Sequence, residues 1–285
     1  MSLALTTEAP PIIREADFLT FREFFYRKTG IMFADNKRYF VDKRLQQLMQ
    51  EGGFRHFRDY FHTVCFEPNG AAMQALVNSM TVNETYFYRE EYQFRCLVQS
   101  LMPEIVQTRT FGETVKIWSM PCSTGEEPYS IAFYLLEYWK QVDHFNIEII
   151  ASDIDTEVLR RAKLGTYAAR ALQNVSDETL AKYTTAVADG NRQVIDAIRQ
   201  SIHFSRTNIL DAAKDRLFRD IDVIFCRNLL IYFDDVSRRE AAEAMFETMK
   251  PGGFVCLGHS ESMSRISSLF RMRKFADAIV YQKPA

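Results

Sequence analysis

Residues Lys116–Ala132 read KIWSMPCSTGEEPYSIA and predict a β-strand that passes through a tight turn into an amphipathic helix. Gly125 supplies the backbone freedom that such a turn needs, and Pro128 suits the first turn of a helix. Glu126 and Glu127 add negative charge at the positive end of that helix, which favours a cationic or hydroxyl-rich ligand over a bare phosphate. The turn lacks the G-x-G-x-x-G fingerprint of dinucleotide sites. On these residues alone, an ordinary strand-to-helix corner explains the pattern equally well.

The composition is that of a globular protein. The chain has 285 residues, of which 47% are hydrophobic and 25% charged, and its length suits one large domain with a small appendage. A net charge of −2 gives no reason to expect a nucleic-acid partner. No apolar run approaches the roughly 18 residues of a membrane span, and residues 1–11 do not resemble a signal peptide. We therefore expect a cytoplasmic protein that does not insert into a membrane.

The cysteines predict neither a disulfide framework nor a zinc site. They are odd in number, widely scattered and form no C-x-x-C pair. We expect buried, reduced thiols at all five positions: Cys65, Cys96, Cys122, Cys226 and Cys256.

The N-terminal part predicts a loose leader over residues 1–15 and an all-helical domain over 16–80. Asp17 is expected to cap the first helix, which Gly30 ends, and Asp35 to cap the second. The remaining three helices are predicted at Asn36–Gln50, Arg55–Phe66 and Gly70–Met80.

The second of these helices has one apolar stripe and several cations. Val41, Leu45 and Leu48 recur at helical spacing and predict its buried face. Its cations lie elsewhere on the helix: Lys37, Arg38, Lys43 and Arg44. They favour either an ordinary solvated face or a docking surface for an acidic partner.

Residues 81–91 predict a linker, but its three consecutive aromatic residues, Tyr86–Tyr88, indicate that it packs against something. From residue 92 to 285, helices alternate with strands, which predicts an α/β domain with a doubly wound, mostly parallel sheet. The strands are predicted at Val115–Ser119, Ile147–Ser152, Ile221–Cys226, Phe254–Gly258 and Ala278–Gln282, with Arg271–Lys274 as a candidate partner of the last. The helices are predicted at Tyr92–Val106, Glu126–Gln141, Thr156–Lys163 and Val236–Met249.

Polar residues follow three of these strands, where parallel sheets bind their ligands. They are Glu126 with Glu127, Asp153 with Asp155, and Arg227 with Asn228. A carboxylate after the second strand can accept from both hydroxyls of a ribose, which is the role we predict for Asp153. Asp155 precedes a helix and is explained as its cap.

The sequence gives little support for hydrolase chemistry or for a zinc site. The segment Gly258–Ser262 reads GHSES and lacks the second glycine of a hydrolase nucleophile elbow. The five histidines are scattered, and none forms the i, i+4 pair of a helical zinc site. The sequence therefore predicts no metal.

Four segments, taken together and in this order, resemble the chemoreceptor glutamate O-methyltransferases of bacterial chemotaxis, the CheR family. The resemblance extends from about Asp17 to Gln282. The segments are Asn83-x-Thr85-x-Phe87-Tyr88-Arg89, then Trp118-Ser119 with Ser123–Ser130, then Ala151–Asp155, and finally Phe225–Phe233.

This resemblance implies a two-domain transferase that uses S-adenosylmethionine and releases S-adenosylhomocysteine. The implied contacts with the cofactor are as follows: Asn83, Thr85 and Arg89 at its methionine end, Glu126 at its amino group and sulfonium, Asp153 at its ribose, Asn208 and Ile209 at its adenine, and Arg227 and Asn228 in the pocket floor. Arg89 and Tyr232 are implied beside the transferred methyl group as catalytic residues.

The implied substrate is a glutamate in the cytoplasmic helical domain of a methyl-accepting chemoreceptor, and the four cations of the second helix would then form the docking face of a monomeric enzyme. Some members of the family grip a receptor tether with a small antiparallel subdomain. Residues 183–204 show only the turn Asp189–Asn191, so we expect a tether-independent enzyme. The alternatives are a methyltransferase for another substrate and a silent cofactor-binding signalling module.

Overall fold

A computed structural model describes residues 11–276 and 278–285. Residues 1–10, most of the predicted leader, lie outside this description. The chain forms two compact units that divide between Val82 and Asn83, inside the predicted linker. Among the described residues, each helix is too short or too polar to cross a lipid bilayer.

Over its described residues, 11–82, the first unit contains four α-helices around an aromatic and aliphatic core. Phe21, Phe25, Val41 and Leu45 are completely buried in it. The helices are α1 Glu15–Thr29, α2 Arg38–Glu51, α3 Phe57–Phe66 and α4 Ala71–Met80.

Two of the predicted helix starts in this unit were wrong in detail. Asp17 lies inside α1, where its Oδ2 accepts the main-chain N–H of Arg14 at 3.0 Å, so Arg14 rather than Asp17 precedes the helix. Residues Asp35–Lys37 form a 3₁₀ turn, and α2 begins only at Arg38. Gly30 ends α1 as predicted, with a φ of 77°.

The buried stripe of α2 is Val41, Leu45 and Met49, which differs from the predicted one at its last position. Leu48 is only half-buried. Residues three and four positions apart lie on the same helix face. The sequence pattern alone therefore does not show whether Leu48 or Met49 is the buried residue.

The second unit contains the predicted mostly parallel sheet, in which seven strands have the order β6-β2-β1-β7-β8-β10-β9. The first five run parallel, whereas β10 pairs antiparallel with both β8 and β9. The strands are β1 Thr114–Ser119, β2 Asn146–Asp153, β6 Ile202–Arg206, β7 Ile221–Cys226, β8 Met249–Leu257, β9 Arg271–Lys274 and β10 Ile279–Gln282.

Helices accompany this sheet along the chain. The predicted helix over 92–106 is continuous but contains a π-helical turn at Leu97–Leu101. The helices are α5 Tyr92–Cys96, α6 Met102–Val106, α7 Glu126–Tyr138, α8 Thr156–Leu164, α9 Ala169–Leu172, α10 Asp177–Tyr183, α11 Asp196–Ser201 and α12 Asp235–Thr248.

A second, three-stranded antiparallel sheet corrects the prediction for residues 183–204. Its strands are β3 Thr166–Tyr167, β4 Thr184–Ala186 and β5 Arg192–Val194, in the order β3-β5-β4. The turn at Asp189–Asn191 therefore joins two strands of a sheet. Strands of two or three residues are too short to produce a readable alternation of apolar and polar residues.

Four of the five cysteines are buried, as predicted, but Cys65 is partly exposed. None of the five is in a disulfide in this structure.

Candidate active site

The turn between β1 and α7 lies at the carboxyl edge of the large sheet and is bonded to both neighbouring strands. The Met120 N–H donates to the Phe225 carbonyl at 2.8 Å, and the Cys122 N–H donates to the Ser152 carbonyl at 2.9 Å. Because three strands are joined through it, the turn is held rigidly where ligands of such sheets bind.

Glycine is required at position 125 for two reasons. Its φ of 96° is rarely adopted by other residues. A Cβ there would also lie 2.8 Å from the Tyr167 hydroxyl and 3.0 Å from the Ala162 side chain. That hydroxyl donates to the Thr124 carbonyl at 2.7 Å, so Tyr167, which follows α8, packs directly against the turn.

Asp153 ends β2, and only 4% of its surface is exposed. Its Oδ2 accepts the Ser123 N–H at 2.9 Å, and its Oδ1 accepts the Asp155 N–H at 3.0 Å. Burial raises the pKa of Asp153 to about 6, although these main-chain bonds act in the opposite direction. A carboxylate accepts up to about four hydrogen bonds, so Asp153 retains acceptor capacity for hydroxyl groups.

Asp155 caps α8, as the sequence predicted. Its Oδ1 accepts from the main chain of Glu157 at 2.9 Å and of Val158 at 3.2 Å. Its Oδ2 accepts from the Asn83 amide at 3.0 Å, which ties the start of the second unit to the end of β2. Asn83 thus lies next to the Asp153 turn, and Thr85 follows it as a half-buried residue.

The two glutamates that begin α7 have different surroundings. Glu126 is 4% exposed and accepts from Thr124 Oγ1 at 2.6 Å. Burial raises its pKa, which this hydrogen bond partly offsets. Because water solvates the buried Glu126 carboxylate poorly, a cation beside it would be stabilised by that negative charge.

Glu127 instead belongs to a buried ion-pair network. Its Oε1 accepts from Ser119 Oγ at 2.7 Å, and its Oε2 from Arg227 Nη1 at 2.9 Å. Arg227 Nη2 donates to the Arg89 carbonyl at 2.6 Å and lies 3.5 Å from Glu90 Oε2. Burial raises the pKa of Glu127, and the charge of Arg227 opposes this shift. The structure therefore surrounds the predicted floor residue Arg227 with groups of the protein itself.

Arg89 and Tyr232 are half-buried and electrostatically coupled. Burial raises the pKa of Tyr232, whereas the charge of Arg89 lowers it. Arg89 Nη1 donates to the Glu84 carbonyl at 2.8 Å, and its guanidinium lies 6.0 Å from the centroid of the Tyr86 ring. The structure thus brings together the two residues that the resemblance implies as catalytic.

The predicted adenine-binding residues follow β6. Asn208 precedes the 3₁₀ helix Ile209–Lys214 and caps it, because its Oδ1 accepts the Leu210 N–H at 3.1 Å. Ile209 is 2% exposed. The preceding Thr207 N–H donates to the Asp153 carbonyl at 3.0 Å, so this segment is joined to the end of β2.

Asn228 follows β7 with a φ of 59°. Its N–H donates to Glu261 Oε2 at 2.8 Å, and the same oxygen accepts the Gly258 N–H at 2.9 Å. Burial raises the pKa of Glu261, and these main-chain bonds oppose the shift. A Cβ at position 258 would lie 2.9 Å from the Asn228 amide nitrogen, so glycine permits this approach.

Sequence reasoning missed Glu90, Tyr167 and Glu261. Glu90 adjoins the predicted Arg89 and could have been found from that position. Tyr167 is distant in sequence from Thr124, and Glu261 from Asn228, although Glu261 also accepts from Gly258 only three residues before it. Among the described residues, no group of three histidines, cysteines or carboxylates is arranged to hold a metal.

The predicted docking cations, Lys37 in the 3₁₀ turn and the other three on α2, fall into two groups. Lys37 and Lys43 are exposed. The Arg38 guanidinium lies 5.8 Å from the Phe18 ring and 3.4 Å from Asp42, and the Arg44 guanidinium lies 5.4 Å from the Phe40 ring. The two arginines thus also take part in packing within the first unit.

Comparison with known families matches both units. The profile described as "CheR methyltransferase, all-alpha domain" matches residues 16–81, and that described as "CheR methyltransferase, SAM binding domain" matches residues 83–279. The junction between these matches coincides with the division of the structure at Val82.

Curated relatives are similar over almost their whole length. Chemotaxis protein methyltransferase 2 of Vibrio cholerae is 51% identical over 273 residues, covering 96% of this chain and 94% of that protein. Chemotaxis protein methyltransferase Cher2 of Pseudomonas putida is 32% identical, with coverage of 93% and 97%. The chemotaxis protein methyltransferase of Escherichia coli is 33% identical, with coverage of 95% and 93%.

Proposed function

This chain belongs to the CheR methyltransferase family, and on that premise we propose that it methylates glutamate side chains of chemoreceptors. Membership makes it an S-adenosylmethionine-dependent enzyme of the protein-glutamate O-methyltransferase class. The observation that carries the proposal is the pair of buried carboxylates, Asp153 and Glu126, at the carboxyl edge of the sheet. The reaction requires no nucleophile from the protein, because the substrate carboxylate is itself the nucleophile.

The residues present fit the cofactor chemically. Asp153 has acceptor capacity for a ribose diol, and the buried Glu126 favours a neighbouring ammonium or sulfonium. When bound, S-adenosylmethionine supplies a methyl group on a positively charged sulfur, which a carboxylate oxygen can take as an ester. In the proposed site, Asn83, Thr85 and Arg89 bind the methionine end, and Asn208 and Ile209 bind the adenine. Arg227 and Asn228 form the floor.

Positioning and exclusion of water are the main tasks of this site. A glutamate is ionised near pH 7, so it needs no general base. We assign to Arg89 and Tyr232 the orientation of the incoming carboxylate, and two half-buried polar groups suit that task. The product is a neutral γ-glutamyl methyl ester.

Receptor docking is assigned to the first unit. Lys37, in the 3₁₀ turn, and Arg38, Lys43 and Arg44 on α2 present positive charge, which complements an acidic helical receptor domain. The enzyme is proposed to act as a monomer in the cytoplasm.

We also propose that the enzyme does not need a receptor tether, and the short edge strands of the three-stranded sheet support this. The three-stranded sheet has two edge strands, β3 and β4, with only two and three residues. An added peptide strand gains affinity through main-chain bonds along such an edge, so these edges offer few of them. Receptors with and without their last five residues are therefore expected to be methylated at equal rates.

The proposed reaction is tested with methyl-labelled S-adenosylmethionine and the cytoplasmic domain of a receptor. We expect label on the receptor that mild alkali releases as methanol, as for a carboxyl ester. A receptor whose modified glutamates are replaced by alanine is the control and should stay unlabelled. Alkali-stable label would indicate another acceptor group. Cofactor binding without label on any receptor tested would favour a silent binding module.

A further inference from the structure

The main chain on both sides of Arg89 has an unusual conformation. Tyr88 has a φ of 59° and Glu90 a φ of 55°, and both lie in the left-handed region that side-chain-bearing residues seldom adopt. Such conformations persist where the surrounding structure determines them from outside. The Tyr88 N–H is held by Ser130 Oγ at 3.1 Å. The carbonyl of Arg89 is held by Arg227.

Arg227 is well suited to this task. Its side chain is 3% exposed, and its two terminal nitrogens reach Glu127 at 2.9 Å and the Arg89 carbonyl at 2.6 Å. Its guanidinium also lies 5.7 Å from the Phe94 ring. Glu127 is in turn bonded to Ser119 at the end of β1. A continuous set of contacts therefore runs from the rigid sheet to the main chain of Arg89.

Glu90 completes the network from the loop side. Its Oε2 lies 3.5 Å from Arg227 and accepts from Gln93 Nε2 at 2.8 Å and from the Tyr92 hydroxyl at 3.1 Å. Its Oε1 lies 2.9 Å from Nδ1 of the exposed His259. Glu90 and Glu127 share the charge of Arg227, so loss of its fork geometry would leave two carboxylates that are only 11% exposed poorly compensated.

We infer that Arg227 is a positioning residue, which together with Glu127 and Glu90 holds the Arg89 loop in the conformation that binds cofactor. This inference rests on the proposed function for the role of Arg89. On this inference the Arg227 side chain does not bind the cofactor directly, because its terminal nitrogens are bonded to protein groups. Arg89 reaches the ligand, and Arg227 acts through it.

Arg227→Lys tests the inference, because lysine keeps the charge but cannot make the forked contacts of a guanidinium. We expect faster hydrogen exchange in the peptide covering residues 84–91 and an approximately tenfold higher Kd for S-adenosylhomocysteine by calorimetry. Arg109→Lys is the matched control, since it weakens the pair between another arginine and a buried carboxylate, that of Asp222. It should lower the Tm without changing exchange at 84–91 or the Kd.

A combined variant separates positioning from direct contact. If Arg227 acts through Arg89, Arg227→Lys raises the Kd little further in an Arg89→Ala background. Independent effects of the two substitutions would overturn the inference. So would a raised Kd for Arg227→Lys with wild-type exchange at 84–91, or equal loosening of 84–91 in Arg109→Lys. Both readouts are independent of receptor methylation, so failure of the proposed receptor substrate leaves this test intact. Wild-type protein that does not bind S-adenosylhomocysteine would instead count against the proposed function.

Discussion

Two arginines at opposite edges of the large sheet, the half-buried Arg109 and the buried Arg227, have different roles. Near the start of β1, Arg109 makes a two-pronged ion pair with Asp222 and donates to the Thr114 carbonyl at 2.7 Å. Asp222 also accepts the Lys116 N–H at 2.8 Å. At the carboxyl edge, Arg227 is shared between two carboxylates and a loop carbonyl.

The difference lies in charge balance and in what each arginine holds. The Arg109 pair contains one cation and one anion and joins the loop before β1 to β7. The Arg227 network has an excess of negative charge and holds a loop of unusual conformation, beside carboxylates that retain hydrogen-bonding capacity. We interpret the first as a stabilising contact and the second as part of the binding site, because the carboxyl edge is where parallel sheets bind ligands.

Removing the balanced pair should have the largest effect on folding. Arg109→Ala leaves Asp222, whose side chain is 3% exposed, without its partner. Loss of one partner of a buried ion pair costs about 3–5 kcal/mol, so urea denaturation should show a decrease of that size in the free energy of unfolding. The Kd for S-adenosylhomocysteine of the folded variant should match wild type. A weakened affinity would contradict the division of roles between the two edges.

Asp153→Ala should give the converse result, with a lower affinity for S-adenosylhomocysteine and a preserved fold. Loss of hydrogen bonds to a charged group weakens binding by about 1.5–3 kcal/mol, measurable by calorimetry with S-adenosylhomocysteine. Glu157→Ala is the control, because Glu157 lies nearby on α8 but is exposed and pairs with Arg160. Unchanged affinity in Asp153→Ala would refute the ribose assignment.

The pH dependence should separate binding from folding at the same residue. The pKa of Asp153 is raised from 3.8 to about 6, so the folded protein takes up a proton there before the unfolded chain does. As the pH falls from 7 to 5, this group therefore increases the free energy of unfolding of the ligand-free protein. Cofactor affinity should fall over the same range, by up to about tenfold per pH unit below 6, because the protonated carboxyl loses acceptor capacity.

Calorimetry and urea denaturation between pH 5 and pH 8 would measure both trends. Asp153→Asn should flatten the affinity profile. If that profile keeps its wild-type slope, another group, such as Glu126, is responsible for the decrease.

The smallest effects are expected on the surface of the first unit. Lys37→Ala and Lys43→Ala remove exposed charges, each worth under about 1 kcal/mol, so the KM for receptor should rise a few-fold and less at high salt. Their Tm and cofactor Kd should not change. Arg38→Ala should also lower the Tm, because Arg38 stacks on Phe18. Salt-independent KM values in all three variants would argue against electrostatic docking.

Local sequence patterns predicted well the strands and helices that position the candidate site. The bounds of β7 at Ile221–Cys226 agree with the sequence prediction, and Gly125 precedes α7 as expected. The role of Asp155 as a helix cap was also predicted, since capping depends on residues only two or three positions away. The assignment of Asp153 to ribose stays a prediction, although its burial and acceptor capacity support it.

Non-local contacts account for what the sequence did not indicate. Arg227 was predicted to form part of the pocket floor, but its partners Arg89, Glu90 and Glu127 lie 100 or more residues away along the chain. The short strands β4 and β5 were missed because they depend on pairing with each other and with β3.

The sequence by itself determined the class of fold, the two-unit order and the acidic residues at the strand ends. Periodicity, turn residues and caps act over a few positions, and the motifs preserve that local order. Only the tertiary structure decided that Glu126 and Glu127, although adjacent, have different partners, and that Arg227 holds the loop of Arg89. Burial and ion pairing depend on which distant segments pack together, and that arrangement fixes the charge and the hydrogen-bonding capacity left for a ligand.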